Sequence, residues 1–357
     1  MIPVLFPTID EETKQELIKV LDSGWWGQGP KTFEFEKKFA DYVGVKYAIG
    51  CNSGTAALDL CLKAYNIRGG ELITTPMTFV SDAIVGEYNG MEVTFADIDA
   101  RTLCLDPNSV VITPETKAII TVNSHGRLAD IDGLRKKFKG LIIEDCAHAM
   151  YTPGAGKKGD IAIWSFQAVK TLPCGDGGMI TTNDEKIYKR LRTLTWVGVE
   201  KTTYERADSK RYTWDYDITQ ADGIKGYMND LTAVIGIGQL ERLEERTARR
   251  RAIQARYNEA FSTIEHIVRP VYSHTVQYYT MNCNRRDELS EYLATKGIAT
   301  SVHFKPLSEM TYWKKAVKRE LTVTSTVWKE LLTLPCHDGL TWTQAEYIID
   351  SVRSFYK

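Results

Sequence analysis

The 357-residue chain is 43% hydrophobic and 25% charged, and its 45 Lys+Arg nearly balance 46 Asp+Glu, for a formal charge of −1. Such a chain can bury a sizeable core over one large unit plus a smaller one, and it offers no electrostatic footing for nucleic acid or an anionic membrane surface. No apolar run approaches the ~20 residues of a bilayer-spanning helix, and seven scattered cysteines without a C-x-x-C pair read as reduced thiols, not a zinc site or disulfide frame.

The opening stretch "MIPVLFPTIDEETKQ" turns acidic before any apolar core forms and lacks a basic leader, so a cytoplasmic address is expected. Next, "KYAIGC" (46–51) runs as a strand into "NSGTAALDLCLKAY", where Ala57, Leu58, Cys61 and Leu62 share one helical face. The segments 71–76, 91–98, 117–122, 141–146, 161–166 and 178–183 also read as strands, several of them apolar throughout. That pattern belongs to a sheet covered on both faces, and the alternation with helices predicts a mainly parallel, doubly wound α/β sheet. After about residue 230 the texture changes. "LTAVIGIGQLERLEERTARRRAIQARYNEAF" predicts one long helix charged on one side, followed by a strand in "TVQYYTMNC" and a helix in "RRDELSEYLATKG". The expected organisation is a large domain over 1–240 and a smaller C-terminal α+β domain over 241–357, with the N-terminal segment packing back onto one of them.

Two motifs fail on context. "GAGKKG" (154–159) has the G-x-G-x-x-G spacing, but a dinucleotide fingerprint follows a strand and opens a helix, whereas these glycines run into a strand. "ARRR" (248–251) follows Glu241, Glu244 and Glu245 and reads as a solvated helix face with an i,i+4 pair between Glu245 and Arg249. The six histidines show no metal-ligand spacing, and no metal is expected.

Three features at predicted strand ends do carry chemistry, because strand carboxyl ends form the ligand crevice of an open parallel sheet. Ser53, Gly54 and Thr55 sit at a strand-to-helix turn, where backbone amides and hydroxyls make an anion site; simple capping is the plainer reading of that turn alone. Asp145 closes an apolar strand, where a carboxylate needs a cation or several donors. It is either a turn cap or the counter-ion of a protonated ring nitrogen. Lys170 follows the strand 161–166 in a stretch almost free of charge, where desolvation turns an amine into a nucleophile. Together they are the protein-side parts of a pyridoxal phosphate site: phosphate cradle, pyridinium partner and Schiff-base lysine.

On these and longer segments the sequence resembles the DegT/DnrJ/EryC1/StrS family of sugar aminotransferases, of pyridoxal phosphate fold type I. "SGWWGQGPKTFEFEKKFADYVGVKYAIGCNSGTAAL" (23–58), "TPMTFVSDA" (75–83), "IIEDCAHA" (142–149), "SFQAVKTLPCGDGGMITTND" (165–184) and "LLTLPCHDGLT" (331–341) carry the resemblance. It implies pyridoxal 5'-phosphate as cofactor, with Phe79 stacked on its ring, His148 near the ring oxygen, Ser165 at the phosphate and Lys170 as the internal aldimine. In "GIKGYMNDL" (223–231), Lys225 takes the place of an asparagine that reaches the phosphate of the neighbouring subunit, and Tyr227 takes the place of an arginine. "VNSHGRLAD" (122–130) also departs from the commoner pattern, which leaves Asn123 and His125 without an assigned role.

The resemblance implies a cytoplasmic homodimer with shared active sites, moving an amino group from L-glutamate to a keto group of a nucleotide-linked deoxysugar in aminosugar or polysaccharide biosynthesis. Retention of lysine at 170, where dehydratase relatives carry histidine, favours transamination. Trp25 and His303 are further substrate-side candidates. Two alternatives stay open: an enzyme acting on another ketone such as an aminocyclitol precursor, and a non-catalytic relative that binds cofactor or sugar nucleotide.

Overall fold

A computed structural model describes residues 1–207, 214, 216–268, 273 and 275–357. The larger sheet has seven strands: β1 (Tyr47–Cys51), β2 (Glu71–Thr74), β3 (Glu92–Phe95), β4 (Thr116–Val122), β5 (Leu141–Asp145), β6 (Ile161–Ser165) and β7 (Gly178–Thr182). Their spatial order is β1-β7-β6-β5-β4-β2-β3, and only β7 runs antiparallel to its neighbours. Each lies inside a predicted strand segment to within a residue. β1 and β4 end where the predicted segments end, β5, β6 and β7 end one residue earlier, β2 two and β3 three.

Helices α1 (Glu11–Ser23) and α2 (Pro30–Val43) precede β1; α3 (Gly54–Ala64), α4 (Ser81–Tyr88), α5 (Ile131–Lys137), α6 (Glu185–Leu194) and α7 (Thr203–Ala207) follow in chain order. Alternation along β6 shows how both faces are covered. Ile161 and Ile163 pack with Leu58, Leu62 and Leu191 of α3 and α6, whereas Ala162 and Trp164 pack with Phe35 and Phe39 of α2. A strand with two buried faces has no polar side to show, which explains the unbroken apolar runs. The site-bearing end of β1 is further fixed by Glu36, buried in α2, which accepts from Gly50 N–H at 2.7 Å and from Arg192 Nη1 at 2.8 Å.

Beyond residue 229 the structure departs from the expected single long helix. Helix α8 (Asp230–Glu241) and α9 (Leu243–Ala260) meet at Arg242, whose φ of −102° and ψ of 8° interrupt the helix. The break lets α8 bury Ala233 and Ile237 against α2 while Ile253, Tyr257 and Ala260 of α9 enter a different core. That second core encloses the antiparallel strands β8 (Ile267–Val268), β9 (Tyr279–Cys283) and β10 (Leu331–Leu334), in the order β10-β9-β8, with α10 (Arg286–Thr295) and α12 (Trp342–Phe355). α11 (Thr322–Glu330) precedes β10.

The solvated basic face expected at 248–251 is corrected as well. Arg250 is 3% exposed and binds Asp338 Oδ1 at 3.2 Å, Arg249 donates to Leu340 O and lies over the Trp342 ring, and Glu245 pairs with Arg242, not Arg249. Arg246, also buried, donates to Thr8 O at 2.6 Å, and Thr8 Oγ1 donates to Asp338 Oδ2. These arginines fasten the N-terminal segment and the 331–341 segment to α9. Charge spacing alone does not distinguish such ties from a solvated face.

Candidate active site

A cavity of about 480 Å³ opens at the carboxyl edge of the large sheet, where β1, β2, β5 and β6 all end. Ser53, Gly54, Thr55, Phe79, Asp145, His148, Ser165, Lys170 and His303 all line it. Parallel strands deliver the residues from 53 to 170 to one edge, and His303 joins them from beyond α10.

The anion cradle is built by close approach. Ser53 caps α3, its Oγ accepting from Ala56 N–H at 3.1 Å, so Gly54 and Thr55 supply the first amides of the helix. A Cβ on Gly54 would sit 3.2 Å from Ser165 Cβ, and one on Gly178 would sit 2.5 Å from Ser53 O. Glycine at both places lets the helix end approach β6 and β7 closely. Thr55 Oγ1 is 2.6 Å from Ser81 Oγ, which orients the hydroxyls of the cradle.

Opposite the cradle lie Asp145 and Lys170. Asp145 is 6% exposed, and its Oδ1 accepts from Ala147 N–H at 2.7 Å. Burial raises its carboxyl above the usual range, against the pull of the Ala147 amide, the Lys170 charge and Asp82. Burial lowers Lys170, while Asp145 and Asp82 both act to hold its proton. The lysine that stands alone in the sequence therefore has two carboxyls for neighbours in space. The residues on either side of it are held by the fully buried Gln277, whose Nε2 donates to Val169 O at 2.8 Å and whose Oε1 accepts from Thr171 Oγ1 at 2.7 Å.

Aromatic side chains form the remaining wall. His303 stacks face to face on Tyr278, with ring centroids 3.8 Å apart, and its Nδ1 lies 2.9 Å from Thr333 Oγ1. His148 stacks on Phe304 and lies tilted against His125, with ring centroids 5.7 Å apart, and Nδ1 of each of these two histidines is buried without a hydrogen-bond partner. Burial lowers all three imidazoles, aided by Lys170, and His303 falls to about 3. Above pH ~6.5 these rings are neutral whether the chain is folded or unfolded. Below it the unfolded chain takes up protons the folded chain refuses, so stability falls with pH, by up to ~1.4 kcal/mol per pH unit for each ring. Melting curves from pH 7.5 to 5 are expected to show this slope, and His303→Asn is expected to flatten it; equal slopes in the two proteins would exclude His303 as a source.

Two candidates lie outside the cavity. Trp25 lines a separate hollow of about 260 Å³ with Trp26, Trp196 and Tyr227, donating its Nε1–H to Gln28 O at 3.0 Å. Lys225 is exposed, its Nζ 5.8 Å from the Trp196 ring centroid, while its carbonyl accepts from Asn52 Nδ2 beside the cradle. Of the loop 196–226 that holds Lys225, residues 208–213 and 215 lie outside the described residues. Asn123 is structural, binding Glu144 Oε2 and Ala129 N–H. Sequence reasoning missed Asp82, Tyr278 and Gln277. For Asp82 the signal was present, an acid inside the quoted segment 75–83, whereas nothing in the sequence marks Gln277.

The sequence profile of the DegT/DnrJ/EryC1/StrS aminotransferase family matches residues 7–353. The chain belongs to this family. It is 35% identical to the spore coat polysaccharide biosynthesis protein SpsC of Bacillus subtilis, over all of this chain and 97% of that one. Among solved structures, the sugar aminotransferase CalS13 from Micromonospora echinospora superposes with a TM-score of 0.88 at 27% identity, over 99% of this chain and 100% of the other. DesV from S. venezuelae, determined with a ketimine intermediate, does so at 0.84 and 28%, over 97% and 94%.

The family fold is type I, and its members are pyridoxal 5'-phosphate-dependent aminotransferases, as is this chain. The cavity fits that cofactor: a helix end shaped by Gly54, a buried carboxylate, an amine within its electrostatic reach and an unpartnered His148 Nδ1. No helix among the described residues is long and apolar enough to cross a membrane.

Proposed function

We propose that this aminotransferase moves an amino group from L-glutamate to the keto group of a nucleotide-linked deoxysugar. The observation that carries the reading is the convergence of Lys170, Asp145 and the 53–55 turn in one cavity at the sheet edge. When bound, the cofactor supplies an electron sink for the carbon that loses its proton.

In this reading Lys170 Nζ would hold the cofactor through its aldehyde and would serve as the base that carries a proton from the donor's α-carbon. Burial favours the neutral amine that this needs. Asp145 would pair with the protonated ring nitrogen, the amides of Gly54 and Thr55 with Ser53 and Ser165 would hold the phosphate, and Phe79 and His148 would border the ring. His303 stands on the substrate side of the cavity. The names of SpsC and CalS13 support a sugar destined for polysaccharide or aminosugar biosynthesis.

Lys225, turned out from its own cavity, suits the phosphate of a neighbouring copy in a homodimer with shared sites, and Trp25 suits a sugar at the same seam. A monomer by light scattering would remove both assignments. The division of the chain near residue 240 and a cytoplasmic location belong to the same proposal.

Protein loaded with the amine form of the cofactor is expected to return to the aldehyde form with a nucleotide-linked keto-sugar, and L-glutamate is expected to regenerate the amine form. Return with an aminocyclitol ketone and not with any nucleotide sugar would overturn the substrate class. Failure of every amino acid to produce the amine form would overturn turnover itself.

A further inference from the structure

Of the three aspartates that line the cavity, Asp82 and the exposed Asp176 have no part in the roles above, and of these two only Asp82 is buried. Asp82, on the first turn of α4, is 1% exposed and lines the same cavity as Asp145, within electrostatic reach of its carboxyl. Its Oδ2 accepts from Thr78 Oγ1 at 2.5 Å, while Oδ1 receives no hydrogen bond. Two ionised carboxylates within reach of each other, both shielded from water, repel strongly, so such a pair keeps one proton between them. Their partners decide where it sits. Asp145 has a rigid backbone N–H directed at Oδ1, which favours the anion. Asp82 has only the Thr78 hydroxyl on Oδ2, leaving Oδ1 as the place for a proton.

We propose that Asp82 is a positioning residue that stays protonated and donates that proton as a hydrogen bond to the Asp145 carboxylate, fixing it as the anion that pairs with the cofactor's ring nitrogen. The proposal rests on the role given to Asp145 above. Burial and the adjacent Asp145 both push Asp82 well above the usual carboxylate range, which agrees with a neutral acid. A neutral donor also suits Lys170. An ionised Asp82 would set a second negative charge near the amine and hold it cationic, whereas a protonated one steadies Asp145 without adding charge. A carboxylic acid kept neutral by its surroundings so that it can donate is a recognised device in enzyme sites.

The test compares Asp82→Asn with Asp82→Leu and Asp82→Ala, titrating pyridoxal 5'-phosphate into cofactor-free protein and recording the visible spectrum of the bound form. Asparagine keeps an N–H donor toward Asp145 and an acceptor toward Thr78, so D82N is expected to bind within about threefold of wild type with an unchanged spectrum. D82L and D82A lose the donor and are expected to bind roughly tenfold or more weakly, with an altered spectrum. Asparagine as damaging as leucine and alanine would mean that the charge of Asp82 matters, and would overturn the proposal; so would wild-type affinity in D82L or D82A. If D82L does not fold, D82N and D82A still decide the question. Failure of the underlying site reading looks different, as wild-type protein that takes up no cofactor, and it would overturn both.

Discussion

Lys170→Ala protein is expected to lose the visible absorbance of the lysine-linked cofactor and to lose transamination by at least ~10²–10⁴-fold, the range typical for removing a positioned proton carrier alone. Loss of the nucleophile adds to that figure, since the amine both holds the cofactor and moves the proton. Overall folding is expected to survive, because the side chain points into a cavity and the flanking residues keep their ties to Gln277. Lys170→Arg sharpens the result: it restores the positive charge beside Asp145 but supplies no nucleophilic amine. Turnover near the wild-type rate in either variant would sink the assignment of Lys170.

Asp145→Ala carries the second large effect. The carboxylate is buried, takes one backbone N–H and lies within the field of Lys170, so its removal leaves that N–H and that cation without their anion. Breaking a buried charge pair by deleting one partner costs about 3–5 kcal/mol, which at ~1.4 kcal/mol per decade corresponds to roughly two to three and a half decades of cofactor affinity. Turnover is expected to fall further than affinity, because a ring nitrogen without its anion loses its proton and withdraws electrons less well. Asp145→Asn separates the two contributions: it preserves shape and an acceptor oxygen while removing charge, so it should keep more affinity than alanine and no more turnover. Equal affinity in all three proteins would show that Asp145 meets no cation in the bound state.

Much of this site was legible because parallel strands announce themselves as apolar runs and deliver their ends to one edge. Ser53, Asp145 and Lys170 each follow such a run, so their convergence followed from the strand pattern before any distance was known. What stayed hidden depends on contacts between distant segments. The break at Arg242 arises because α8 and α9 serve different cores, while the helical pattern runs on unbroken through the junction. Arg250 reads as solvated until Asp338, from near the C-terminal end of the chain, is found against it. Lys170 shows the same limit most clearly: its lack of charged neighbours is a property of the chain, and Asp82 and Asp145 supply them through space.

Gln277 gives that geometry a mechanical side. It precedes β9, the middle strand of the smaller sheet, yet it grips Val169 and Thr171, the residues on either side of Lys170. One side chain thus ties both neighbours of the reactive amine to the smaller sheet, so the lysine is anchored from two sheets and not from its own loop alone.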